Sequence, residues 1–179
     1  GKQGFAIAAA AQAAGADVTL VSGPVELRDP AGVTVIRVES ARDMLHRVEA
    51  ALPADIAIFA AAVADWRVAN EGEQKLKKTA AGIPPLQLVE NPDIPSTISK
   101  LKDKRPPLVI GFAAETEHLI HNAKAQIARK GCACIAASDE SAEGCQRLAE
   151  RPCDDVDFVR SVFEEVEVLE GPTAGGPQR

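Results

Sequence analysis

Apolar residues along this chain come in short blocks whose period keeps switching. "GKQGFAIAAAAQAAGA" is rich in alanine and predicts a helix, with Gly15 placed to close it. "DVTLVS" is a β-branched run ending at Gly23-Pro24, which predicts a strand and a turn. "VTVIRV" predicts a second strand. In "SARDMLHRVEAAL", Ser40 can cap a helix on which Met44, Leu45, Val48 and Leu52 share one face. "DIAIFAAA" is almost wholly apolar, as expected of a central parallel strand covered on both faces. "NPDIPSTISKLKDK" opens with turn chemistry and predicts a short helix. "PLVIGFAAE" predicts a buried strand, "TEHLIHNAKAQIARKG" a helix closed by Gly131, and "CACIAAS" a last central strand. "CQRLAERPCDDVDFVRSVFEEVEVLE" suits a helix followed by a strand or a second helix.

Such alternation of strand and helix predicts an α/β fold with a doubly wound, mostly parallel, Rossmann-like sheet. The segment around residues 68–90, with the two prolines and the glycine of "AGIPPLQLVE", breaks the rhythm and predicts a hairpin or flap beyond the strand ends. Residues 1–170 are expected to form a single domain, incomplete at its N-terminus, and 171–179, "GPTAGGPQR", a disordered tail.

Composition narrows the function classes. The chain has 179 residues, 46% of them hydrophobic, enough for one substantial core. No stretch nears the roughly 20 apolar residues that span a bilayer, and a cytoplasmic location is expected. The formal net charge of -6 argues against general nucleic-acid binding. That charge is uneven: from Arg67 to Arg105 there are eight Lys/Arg against five Asp/Glu, and from Asp139 to Glu170 three against eleven. A basic middle in an acidic protein suits a small, multiply charged anion. One Trp, five Phe and no Tyr leave little for stacking along a strand of bases. Cys132, Cys134, Cys145 and Cys153 form no C-x-x-C pair and read as free thiols.

In open α/β sheets ligands bind outside the carboxyl ends of the strands. Asp65 and Trp66 follow one such end, where an ordinary polar loop is the plainer alternative. Lys75 and Lys77 alternate, so on an extended segment they share a face while Lys78 takes the other. Two ammonium groups on one face can neutralise a polyphosphate, though solvated charge runs are common. Gly1 to Gly4, "GKQG", precede a helix whose first N–H groups lack intrahelical partners, a phosphate cradle. No complete G-x-G-x-x-G or G-x-x-x-x-G-K-[ST] is present. Glu115, His118 and His121 follow E-x-x-H-x-x-H, but no further ligand accompanies them, and an exposed helix face explains them as well.

Taken together, "GKQGFAIAAAA", "GADVTLVSGPV", "AAAVADWR", "KLKK", "VENPDI", "VIGFAAET" and "ARKG" resemble phosphopantothenoylcysteine synthetase, the ligase domain of the bacterial bifunctional coenzyme A biosynthesis protein. They run from Gly1 to about Asp139. The resemblance implies a CTP-dependent ligase joining cysteine to 4'-phosphopantothenate through an acyl-cytidylate, with Mg²⁺ bridging phosphate oxygens. It implies that Lys75 stabilises the charge of the departing pyrophosphate. It further implies nucleotide contacts from Ala60, Ala61, Asp65, Asn91, Pro92, Asp93, Ile94, Phe112 and Lys130, and a homodimer to which the "PPLQLVE" flap adds strands.

Several positions depart from the family. Of its Asn-x-Ser-Ser-Gly-Lys-x-Gly motif only Gly1 to Gly4 are present, so the expected first strand and asparagine are missing. Gln126 stands where a second nucleotide-binding lysine is usual, and Ser138 where an asparagine is usual. The chain alone is therefore expected to ligate poorly. A nicotinamide-dependent reductase on a similar sheet, and a non-catalytic relic of the ligase fold, stay open as alternatives.

Overall fold

A computed structural model describes residues 1–69, 86–115, 134–139 and 145–149. In chain order its elements are α1 (Lys2–Ala13), β1 (Thr19–Ser22), β2 (Thr34–Arg37), α2 (Ala41–Ala50), β3 (Ile56–Phe59), β4 (Trp66–Val68), β5 (Leu88–Glu90), α3 (Ile94–Ser99), β6 (Leu108–Glu115), β7 (Cys134–Asp139) and β8 (Cys145–Ala149).

The strands pair as a Rossmann-like parallel arrangement. β1 and β2 pair in parallel from Thr19 opposite Thr34 to Ser22 opposite Arg37. β3, β6 and β7 run parallel in the order β3-β6-β7, and β8 closes that sheet antiparallel to β7. β4 and β5 form an antiparallel ribbon, the base of the expected excursion. Residues 70–85, its remainder, lie outside the described residues, as do the helix expected before Gly131 and the tail 171–179.

Each helix forms for a local reason and turns one apolar stripe inward, half-buried in α2. α1 ends in a Schellman motif: the Ala16 N–H donates to the Ala11 carbonyl at 3.0 Å and the Gly15 N–H to the Gln12 carbonyl at 2.9 Å. Gly15 carries a φ of 92°, a conformation that costs a residue with a Cβ, so its predicted role as a helix stop is met. At the start of α2 the Asp43 N–H donates to Ser40 Oγ at 3.1 Å, and Ser40 Oγ donates to Asp43 Oδ2 at 2.6 Å.

Two apolar clusters lie on opposite faces of the sheet. Ile7, Ala10 and Ala11 of α1 pack with Val18, Ile58, Ala60 and Phe112. Leu52, Ile94 and Ile98 gather Met44, Leu45 and Val48 of α2 together with Phe59 and Val63. Ile58 and Phe59, neighbours on β3, thus turn to different helix layers, as the period of two in a strand requires. Ile98, Val109 and Ile110 have no exposed surface.

One expectation is met in part and one needs correction. Among the described residues β3 is half-buried at all four positions and hydrogen-bonds to β6 alone, at one end of the order β3-β6-β7-β8. The apolar character of "DIAIFAAA" serves the two helix layers to which Ile58 and Phe59 turn. Cys145–Ala149, read as helical, is a strand. Its residues favour helix, but β7 presents a free edge whose backbone groups need partners, and pairing overrides propensity.

Ile98→Ala should cost about 2–5 kcal/mol, the usual range for emptying a closed apolar site. Lys102→Ala, at an exposed position of the turn after α3, should stay within about 0.5 kcal/mol. Urea denaturation of both variants checks the contrast, and equal losses would refute this assignment of the core.

Candidate active site

β3 stops at Phe59, and Ala60 to Ala64 continue as irregular chain before β4 begins at Trp66. This exit lies beside the first turn of α1. Gly1 is the N-cap, no side chain caps that end, and the first turn holds no acidic residue. The helix dipole and its free N–H groups are left to attract an anion. A Cβ at Gly4 would sit 3.8 Å from the Ala60 Cβ, so helix and strand exit meet through very small side chains. Phe112 of β6 packs, with Ala60, against the same α1 cluster. Gly4, Ala60 and Phe112 therefore form one group, and Gly1 stands one turn ahead of Phe5.

A second group is tied together by hydrogen bonds. The Asn91 N–H donates to the Asp65 carbonyl at 2.7 Å, and Asn91 Nδ2 donates to the Ala64 carbonyl at 2.8 Å. One residue thus fastens the "NPDI" turn to the loop that follows β3. The β4–β5 ladder continues the join, with Trp66 opposite Glu90, and the Arg67 guanidinium donates to the Glu90 carbonyl. Asp65 and Ala61 are exposed, and Pro92 is half-buried.

Asp93 and Ile94 already serve the fold. Asp93 is the N-cap of α3, its carboxylate accepting from the Ser96 N–H at 3.0 Å. The Ile94 side chain, 3% exposed, belongs to the cluster of Leu52 and Ile98, which leaves its backbone as the part open to a ligand. Lys75, Lys77, Lys78 and Lys130 lie outside the described residues, as do His118 and His121. Among the described residues no group of three His, Cys, Asp or Glu side chains could hold a metal.

Sequence reasoning missed two arginines here. Arg67 borders a shallow depression of about 490 Å³ that opens between α2 and the ribbon, with Arg42, His46, Asn91 and Pro92 on its walls. This hollow reaches Asn91 from the α2 side, opposite the α1 cluster. Arg37, at the end of β2, bonds the connection between β1 and β2. The available signal was position: each arginine stands at or beside the end of a strand.

Residues 1–151 match the DNA/pantothenate metabolism flavoprotein C-terminal domain. The chain belongs to that family. It is 47% identical over 146 residues to the coenzyme A biosynthesis bifunctional protein CoaBC of Vibrio parahaemolyticus, covering 80% of this chain and 36% of that protein. It is 46% identical over 144 residues to CoaBC of Escherichia coli, covering 79% and 35%. The chain thus spans about a third of the length of the curated relatives it matches. Its fold is similar to the crystal structure of the C-terminal domain of CoaBC, with a TM-score of 0.68, 34% identity and coverage of 95% of this chain and 83% of that one. It is similar in fold alone to the DNA/pantothenate metabolism flavoprotein from Streptococcus pneumoniae, with a TM-score of 0.69 at 15% identity, covering 93% and 87%. The family read from "GKQGFAIAAAA", "AAAVADWR" and "VENPDI" is the one these comparisons give.

Asp93→Ala should lower stability by about 1 kcal/mol through loss of the α3 cap, and Asp93→Asn, which keeps an acceptor, by only a few tenths. Thermal or urea melts decide it; equal losses for the two would mean that the carboxylate acts by charge and not as a cap.

Proposed function

We propose that this chain acts as the ligase part of a coenzyme A biosynthesis enzyme, joining 4'-phosphopantothenate to cysteine at the expense of CTP. The observation that carries the reading is the convergence of family-matching segments at the carboxyl end of β3. A Cβ at Gly4 would reach Ala60 there, and Asn91 bonds both Ala64 and Asp65. Membership of the family adds to it.

The chemistry suits such a place. A carboxylate is a poor electrophile, and its oxygen must attack the α-phosphorus of CTP, expelling pyrophosphate, before the cysteine amine can displace CMP from the acyl carbon. The developing negative charge calls for preorganised donors and cations. The uncapped first turn of α1 supplies donors, and Lys75 would supply the cation. Mg²⁺ keeps several waters and binds substrate phosphates more readily than an all-protein cage. It would enter with the triphosphate, with Asp65 as an exposed carboxylate at the strand exit. Ala60, Ala61 and Phe112 would meet the nucleotide, and Asn91 to Asp93, with the Ile94 backbone, would form the opposite wall.

The exposed face of the ribbon supports a homodimer. Trp66, Leu86 and Leu88 are 55%, 60% and 58% exposed. Paired residues of a ladder share a face, so Trp66 goes with Glu90 and Val68 with Leu88, while Arg67 and Val89 turn the other way. An exposed indole flanked by leucines is what a partner's matching ribbon would cover.

Calorimetric titration tests the reading: CTP with Mg²⁺ should give binding heat and NADPH none. The reverse would favour a reductase. Lys75→Ala should abolish CTP binding while the chain stays folded, whereas unchanged binding would point to a relic of the fold. Light scattering should give twice the 18.8 kDa chain mass, and Leu88→Asp should shift the sample to monomer; a wild-type monomer at high concentration would remove the dimer.

A further inference from the structure

The connection between β1 and β2 carries a feature that the ligase reading does not use. After Ser22 the chain leaves the carboxyl end of β1 as an extended arm, on which Val25 and Leu27 are half-buried and Glu26 and Arg28 exposed. The buried side of this arm lies on the start of α1. A Cβ at Gly1 would come within 2.9 Å of Val25 Cγ1 and 3.5 Å of Leu27 Cδ1. The arm therefore stands at the N-cap whose neighbouring N–H groups form the proposed anion cradle.

One side chain holds it there. Arg37 Nη1 donates to the Val25 carbonyl at 3.1 Å, and Nη2 donates to the Leu27 carbonyl at 3.2 Å and to the Asp29 carboxylate. The same guanidinium lies over the ring of Phe5, 5.5 Å from its centroid, and Phe5 is buried in α1. Arg37 thus joins three pieces: the end of β2, the arm, and the first turns of α1. A planar fork with five donors and a stackable face can do this, while an ammonium can satisfy only part of the set. Without it, the arm would keep only the partial apolar contacts of Val25 and Leu27.

We propose that Arg37 is a positioning residue for the ligand crevice, pinning Val25–Asp29 across the N-cap of α1 so that the arm forms a fixed wall of the nucleotide site. The inference rests on the ligase reading above. Arg37 itself touches no reacting atom; it acts through the arm.

The test uses the full chain with CTP and Mg²⁺ as the probe. Calorimetric affinities and amide hydrogen exchange over residues 25–29 would be measured for wild type, Arg37→Gln, Arg37→Lys and Asp29→Asn, all well below their melting temperatures. Arg37→Gln should weaken CTP binding about tenfold, of the order of one charge-assisted hydrogen bond, and speed exchange in the arm while β3 and β6 stay protected. Arg37→Lys should recover little of either. Asp29→Asn, which removes one anchor, should give a smaller loss in the same direction, and it decides the matter if Arg37→Gln does not fold. Faster exchange in the arm with unchanged affinity would overturn the proposal, because the arm would then be no wall. Weaker binding with an unchanged arm would overturn it too, placing Arg37 on the ligand directly. A wild-type chain that fails to bind CTP removes the ligase reading and this inference together; variants that bind as wild type does remove the inference alone.

Discussion

Ile7, Ala10 and Ala11 set the distance between α1 and the strands beneath it. Ala10 has no exposed surface, and the stripe meets Val18 ahead of β1 together with Ile58, Ala60 and Phe112 of the β3 side. A close-packed contact of this kind responds to single methylene groups. Small residues let the helix lie low, and the low seat brings Gly4 against Ala60. A bulkier side chain at Ala10 would lift the first turn away from the strand exit.

Two irregular segments, the loop after β3 and the arm after β1, are ordered by side chains that donate to backbone carbonyls. Asn91 holds the loop after β3, and Arg37 holds the arm after β1. Loops outside regular structure leave carbonyls that need partners, and here the partner comes from a distant part of the chain in each case. That solution fixes a loop without a further strand or helix, and it concentrates the order of these loops in a few polar residues. Asp93 carries a comparable burden, since it caps α3 while standing in the turn that faces the exit.

Much of this was legible in the residues. Periodicity and capping chemistry located α1, α2 and α3, with Gly15, Ser40 and the "NPDI" turn marking their ends. The apolar runs located β1, β2, β3, β6 and β7, because a strand enclosed by helices must be apolar on both sides. β8 escaped because "CQRLA" favours helix and its strand state depends on the edge of β7, a nonlocal fact. At the site, the family motifs pointed to Ala60, Asp65 and Asn91, and the structure brings the last two into contact. Arg37 and Arg67 left only their position near strand ends as a signal, because most of their partners are main-chain carbonyls, which leave no trace in a sequence.

The ribbon base has an optical consequence. Trp66 is the one indole of the chain, and the chain holds no tyrosine. It is more than half exposed, and the residue before it bonds Asn91 through its carbonyl. Excitation at the red edge of the protein absorption band therefore addresses a single chromophore at a single place. Its emission colour reads the polarity at the exit of β3 without an introduced label, and quenching by iodide or acrylamide would measure how freely solvent reaches that spot.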